Sequence, residues 1–275
     1  MMKKYICTTC GVQYAESNST PEHCAICEEE RQYVNPDGQS WTTHDELVYC
    51  GNYKNIITKE EEGLYSITTT PKVGIGQTAY LIVKEGFNIL WDCITFLDDE
   101  TIAFIRSLGG IDAIALSHPH YYSRQADWAK VFAAPIYIHH DDRKWIMEPS
   151  EYIRLWEDEE KELIDGVNLH RLGGHFKGGA VLHWGNGDRG KGVLLTGDII
   201  QVVADTEWVS FMYSYPNLIP LPAGKVEEMA KKAGELLFNR LYNAFHRVVK
   251  ENAYHAVQRS ADRYIKAVNG QLFDT

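Results

Sequence analysis

Ile111-Asp-Ala-Ile-Ala-Leu-Ser-His-Pro-His120 is the stretch on which the reading of this chain turns. Its apolar run is short, the pattern of a buried strand, and it releases His118 and His120 into a loop two residues apart. Imidazoles at that spacing can aim both ring nitrogens at one point, as a metal site requires. Two later stretches supply what the pair lacks. Gly173-Gly-His-Phe-Lys-Gly-Gly179 sets His175 in a glycine-flexed turn, and Leu194-Leu-Thr-Gly-Asp198 ends a second apolar strand in a carboxylate. His118, His120, His175 and Asp198 are therefore the candidate ligands of one metal centre.

The order H-x-H, then G-G-H, then T-G-D, together with the earlier strand end Ile89-Leu-Trp-Asp92-Cys93, resembles the metallo-β-lactamase superfamily. The resemblance runs from about residue 47 to the C-terminus. It implies an α/β fold, the αββα sandwich, with the site at the edge where two sheets meet. Asp92 is expected to orient a ligand imidazole from behind. The departures are as informative as the matches. The family's full motif is H-x-H-x-D-H, whose last two residues serve a second metal, whereas Tyr121, Tyr122 and Ser123 follow His120 here. The family's later His, near a Y-P-G-H stretch, has as its best match Tyr242-Asn-Ala-Phe245, with His246 one position late and open as a substitute ligand. One ion is expected, zinc or iron, instead of two.

A metal held by three His and an Asp keeps room for water, lowers its pKa and polarises a carbonyl or phosphoryl oxygen, which is hydrolytic chemistry. The expected enzyme is a metallo-hydrolase acting on an ester, thioester, lactone or similar bond. Asp198 and Tyr122 are its candidate catalytic residues. A phenol with a reference pKa of about 10 is a poor base near neutrality, so Tyr122 is read as a hydrogen-bond donor to a developing oxyanion. Trp208 to Pro222 is aromatic, punctuated by proline and low in charge, and Tyr213, Tyr215 and Asn217 within it are the candidate substrate contacts. Two other readings stay open. The superfamily's persulfide dioxygenases are mononuclear iron enzymes whose two-His, one-carboxylate face matches His118, His175 and Asp198. A catalytically lapsed binding protein is the other.

Cys7-Thr-Thr-Cys10 and Cys24-Ala-Ile-Cys27 are two C-x-x-C knuckles with 13 residues between them. That spacing builds a tetrahedral thiolate cage. The segment resembles the rubredoxin-type modules of rubrerythrins, with Pro21-Glu-His-Cys24 opening its second knuckle. Glu28 stands where such a module carries the glycine that lets backbone N–H groups reach the sulfurs, so structural zinc is the expected occupant. Binding could supply on the order of 10 kcal/mol to so small a segment. Asn35-Pro-Asp-Gly38 is turn chemistry and marks a linker, dividing a zinc ribbon at 1–40 from a metallo-β-lactamase-like domain at 41–275. Cys50 and Cys93 are expected to pack as small apolar residues.

At 275 residues the chain is long enough for one ordinary domain plus a small module. A net charge of -11 argues against nucleic acid or an anionic membrane as partner, since phosphate contacts need clustered Lys and Arg. The ribbon itself carries six acids against three bases, which favours protein contact, homodimerisation included. No apolar stretch approaches the roughly 18 residues of a membrane span. Basic residues near the start lack the apolar stretch of a secretory signal, and free thiols suit the cytoplasm, the expected location. The partner is a small-molecule substrate.

Periodicity places strands at 64–70, 78–83, 88–92, 111–117, 134–139, 167–172, 180–184 and 192–196. Leu47-Val-Tyr49 also reads as strand. Helices are expected from Asp98 to Gly109, around Trp128, and over 226–238 and 247–268.

Overall fold

The computed structural model describes residues 2–273. It divides into two compact units, Met1–Trp156 and Glu157–Thr275.

In the first unit, β1 (Ile6–Cys7) pairs with β2 (Trp41–Thr42) beside the cysteine knuckles. A seven-stranded sheet follows in chain order: β3 (Lys54–Glu61), β4 (Leu64–Thr70), β5 (Ala79–Ile82), β6 (Ile89–Trp91), β7 (Ala113–Ala115), β8 (Ile136–His139) and β9 (Ile153–Trp156). Strands β3 to β6 are antiparallel neighbours, and β6 to β9 run parallel. Parallel neighbours need crossovers. Helix Asp99–Ser107 makes the one between β6 and β7, its first turn capped by the Asp98 carboxylate on Thr101 N–H. Helix Gln125–Phe132 makes the next, and Ala133 ends it in the left-handed conformation. β5, β6 and β7 are buried throughout, which is why they read as unbroken apolar runs.

Leu47-Val-Tyr49 is not a strand. Thr43 and Glu46 form a reciprocal capping box that starts a helix over His44–Tyr49, and Cys50 follows it, exposed instead of packed. Three apolar residues in a row carry no period, and the cap is the stronger signal. Cys93 is buried, as expected.

The second unit has a six-stranded sheet in the order β10 (Glu160–Ile164), β11 (Val167–Arg171), β12 (Ala180–Trp184), β13 (Val193–Leu195), β18 (Arg240–Tyr242), β19 (Val248–Val249). Between β13 and β18 lie two small pairs, β14 (Gln201–Val202) with β15 (Val209–Ser210), and β16 (Met212–Ser214) with β17 (Ile219–Pro220). Helices Ala223–Ala233 and Ala253–Val268 pack together through Val226, Met229, Ala256 and Val257. The expected helix from residue 247 begins later, because Val248 and Val249 pair with β18 before Asn252 turns the chain at positive φ. β-branched neighbours favour the ladder they find there. Asn186 to Gly190 turns the chain between antiparallel β12 and β13. Among the described residues, no helix is long and apolar enough to cross a membrane. The two mixed sheets and their helices are the parts of the expected αββα class.

The cysteine knuckles are packed directly on the first unit's sheet loops. Gly74 has φ +59, and a Cβ there would lie 2.6 Å from the backbone nitrogen of Gly11. Close backbone approach and positive φ both require glycine at this position. Nearby, Lys4 Nζ binds Asp127 at 2.7 Å, Gln13 Nε2 binds it at 2.8 Å, and Arg124 Nε binds it at 2.9 Å. Burial pushes the Asp127 carboxyl up, but the Arg124 charge and the bonds from Lys4 and Gln13 outweigh it and hold the pKa down at about 2.

Gly74→Ala is expected to destabilise the protein by at least about 2 kcal/mol, against on the order of 1 kcal/mol for Gly38→Ala, which has positive φ but open space. Urea midpoints of the two variants check this ordering. Asp127 has a depressed folded pKa, so its stabilisation is complete above the ordinary value of 3.8 and is lost as pH falls through about 2. The stability gap between wild type and Asp127→Asn should therefore shrink across that window, and a gap that stays constant from about pH 5 to about pH 2 would contradict the network.

Candidate metal centres

Four thiols make the first centre. Cys7, Cys10, Cys24 and Cys27 are all buried, and their sulfurs lie within 4.8 Å of one another. Sγ of Cys7 is 3.6 Å from that of Cys27, and Sγ of Cys10 is 3.7 Å from that of Cys24. A tetrahedral cage with metal–sulfur bonds of about 2.3 Å requires sulfurs about 3.8 Å apart, so the set fits a zinc- or iron-sized cation with little movement. Burial holds Cys10 well above the ordinary thiol range, while hydrogen bonds from Cys10, Cys24 and Cys27 hold Cys7 below it. Four buried thiols cannot all ionise together without a cation to compensate them. Tyr14 Oη donates to Cys24 Sγ at 3.5 Å and Gln39 Nε2 donates to Cys7 Sγ at 3.3 Å, the outer bonds that fix ligand direction.

The second centre begins where two parallel strands end side by side. β6 and β7 are in register with Trp91 opposite Ala115, so Asp92, one residue beyond β6, and Ser117, two beyond β7, meet. Asp92 is fully buried and leaves the strand at φ 59. Its carboxylate accepts Ser117 N–H at 2.7 Å and Ser117 Oγ–H at 3.0 Å. The Ser117 hydroxyl, committed as a donor to Asp92, sits 2.9 Å from His118 Nδ1 and so accepts from it. That relay places the proton on Nδ1 and makes Nε2 the candidate ligand atom. Asp92 is thus linked to the His118 ring through Ser117, a residue the motif does not mark. Pro119 starts a single 3-10 turn through Tyr121, and the His118 and His120 rings lie 5.0 Å apart.

In the second unit His175 Nδ1 lies 3.1 Å from the Met212 carbonyl, which can only accept, so this ring too carries its proton on Nδ1. Its Nε2 lies 3.7 Å from Asp198 Oδ1. A Cβ on Gly174, at φ +81, would run into Met229 Sδ, so the neighbouring turn must be glycine. Asp198 follows β13 by three residues, and Tyr215 Oη donates to its backbone carbonyl at 2.9 Å. His118, His120, His175 and Asp198, all buried, make up a group of side chains able to hold a metal ion.

The other candidates are placed less centrally. Tyr122 is 1 % exposed among Leu90, Cys93, Trp128 and other core residues of the first unit, and burial, then Asp142 and Asp92, pushes its phenol well above the ordinary range. It is a neutral donor at any physiological pH. The Tyr215 ring lies 5.7 Å from the His175 ring, Tyr213 packs on the second unit's core, and Asn217 is exposed with its N–H on Ser214 Oγ. His246 sits on the exposed turn between β18 and β19. His139 accepts Asp141 N–H as the cap of a 3-10 turn.

These positions define a class. Residues 74–238 match the profile of the Metallo-beta-lactamase superfamily, and the chain belongs to that family. Over its whole length it is 64 % identical to the protein described as "Uncharacterized protein YmaE" of Bacillus subtilis (strain 168), covering 100 % of both chains. Among solved structures it is similar to TMB-1 (TM-score 0.61, 12 % identity, 78 % of this chain and 99 % of that one). It is also similar to VMB-1 (TM-score 0.60, 12 % identity, 78 % and 98 %) and DIM-1 metallo-beta-lactamase (TM-score 0.57, 14 % identity, 76 % and 98 %). At such identities the likeness is one of fold.

Ser117→Ala cuts the relay without touching a ligand, and should weaken metal binding at the His/Asp centre by about 10- to 100-fold while leaving the thiolate cage loaded. Competition against a chelator measures it, and an unchanged affinity would remove Ser117 from the relay.

Proposed function

We propose that this chain is a mononuclear metal-dependent hydrolase that cleaves an ester, thioester, lactone or similar bond of a small-molecule substrate. The observation that carries the reading is the donor set. Three imidazoles and one carboxylate are buried together, and two of the rings have the Nδ1 proton placed by Ser117 and by the Met212 carbonyl. His118, His120, His175 and Asp198 would hold the ion, which supplies Lewis acidity and a water with pKa near 7. Tyr122 and Ser123 occupy the sequence positions that carry the second ion's ligands in two-metal relatives, and a neutral phenol and a hydroxyl are poor donors to a dication. That substitution supports one ion.

The chain's own side chains divide the remaining work. Asp198 offers a carboxylate beside His175 that can hold a substrate or water proton. Tyr122, kept protonated by burial, is fit only to donate a hydrogen bond. Tyr215 anchors the Asp198 backbone and presents its ring to His175, which makes the segment 208–222 the expected substrate wall.

His118→Ala and Asp198→Asn should each lower hydrolysis of a broad ester, thioester and lactone panel by at least about 100-fold, with the four-thiolate cage intact. Equal slow rates for wild type and both variants would refute the hydrolase reading. Elemental analysis of the whole protein should give two metal equivalents per chain, and three would refute the mononuclear centre.

A further inference from the structure

The four-cysteine module and the His118–His120 loop are joined by one buried residue. Gln13 lies three positions beyond Cys10 and is 1 % exposed. Its backbone N–H donates to the Ser123 carbonyl at 3.0 Å, closing the loop that carries the two imidazoles. Its side-chain oxygen accepts from Arg124 Nε at 3.0 Å, and its amide donates to Asp127 at 2.8 Å and Glu148 at 2.7 Å. Every polar group of Gln13, apart from its carbonyl, is engaged by the segment directly following His120 or by what anchors that segment.

The cage, in turn, dictates where Gln13 sits. Gly11 N–H donates to the Cys7 carbonyl at 2.8 Å and Cys7 N–H to the Val12 carbonyl at 3.1 Å, so the knuckle and the chain up to residue 13 form one hydrogen-bonded unit. Thr95 Oγ1 donates to the Gly11 carbonyl at 3.0 Å and fixes that unit to the loop after β6. Ser123 needs such support, because it is fully buried at φ 43, a conformation unfavourable for a residue with a Cβ. Gln77 holds its hydroxyl at 2.7 Å, which leaves the carbonyl to Gln13.

We propose that Gln13 is a positioning residue for the His118–His120 loop, so that loading of the four-thiolate cage sets how well those imidazoles are held for their own ion. The inference rests on reading His118 and His120 as metal ligands. The energetic link is reciprocal: whatever the filled cage adds to affinity at the His/Asp centre, a filled His/Asp centre adds to the cage.

Cobalt(II) distinguishes the two centres in the full-length protein, since thiolate-to-cobalt charge-transfer bands and intense long-wavelength d–d bands report the cage, whereas weaker d–d bands at shorter wavelength report nitrogen and oxygen ligands. Gln13→Met keeps the size and the backbone N–H but removes the side-chain hydrogen bonds. It should leave the charge-transfer bands in place and weaken cobalt binding at the His/Asp centre by about 10- to 100-fold. Wild-type protein whose cage has been emptied with a thiol-binding mercurial should show a fall of the same order, independently of whether the variant folds. His118→Ala serves as the reference. If it loses the weaker, shorter-wavelength d–d bands while Gln13→Met and the cage-emptied protein bind cobalt at the His/Asp centre as tightly as untreated wild type, the positioning role is overturned and the ligand reading survives. If His118→Ala binds as wild type does, the ligand reading falls and the positioning role with it.

Discussion

The register of β6 against β7 is the constraint on which the rest of the structure depends. Because Trp91 pairs with Ala115 in parallel, the next residues of both strands leave the sheet at the same edge. Asp92 turns there in the left-handed region and commits its carboxylate to Ser117. A slip by one residue would exchange the faces of every side chain and point His118 into the core. Leu90 and Ile114 are fully buried in these strands, and a slip would break the packing around them. Hydrophobic burial therefore sets the direction of a polar ligand, and the carboxylate relay refines it.

A similar arrangement recurs in the second unit, where β13 delivers Asp198 and the β16 carbonyl of Met212 orients His175. Both rings are aligned by groups whose hydrogen-bonding role is settled. One is a serine hydroxyl already committed to a carboxylate, and the other is a backbone carbonyl that cannot donate. In each arrangement Nδ1 is taken up by an oxygen of the protein, which directs Nε2 as the candidate ligand atom. Tyr122 follows a different logic. Placed among apolar core residues, it is kept neutral by desolvation, and its position next to the ligands in sequence gives the motif a buried donor where two-metal relatives carry a carboxylate.

The motif order, the cage spacing and most core strands are legible in the sequence because each is written in local terms: an apolar run, a glycine turn, a two-residue gap. The departures are local as well. Leu47-Val-Tyr49 has the composition of a strand, yet the Thr43–Glu46 cap makes it a helix, and Val248-Val249 fits a helical spacing, yet β18 offers it a partner. In both cases a short apolar stretch takes the structure that its neighbours can satisfy.

Sequence alone determined which residues are candidate ligands and that two kinds of metal centre are to be expected, since thiolate knuckles and strand-end imidazoles carry their chemistry in residue type and spacing. Tertiary structure alone decided how those ligands are held. The Asp92–Ser117 bonds join positions 25 apart, and the Arg124–Gln13 bond joins positions 111 apart. Such pairings follow from strand register and packing between distant segments, and serine or glutamine has no spacing rule that would mark its partner in advance.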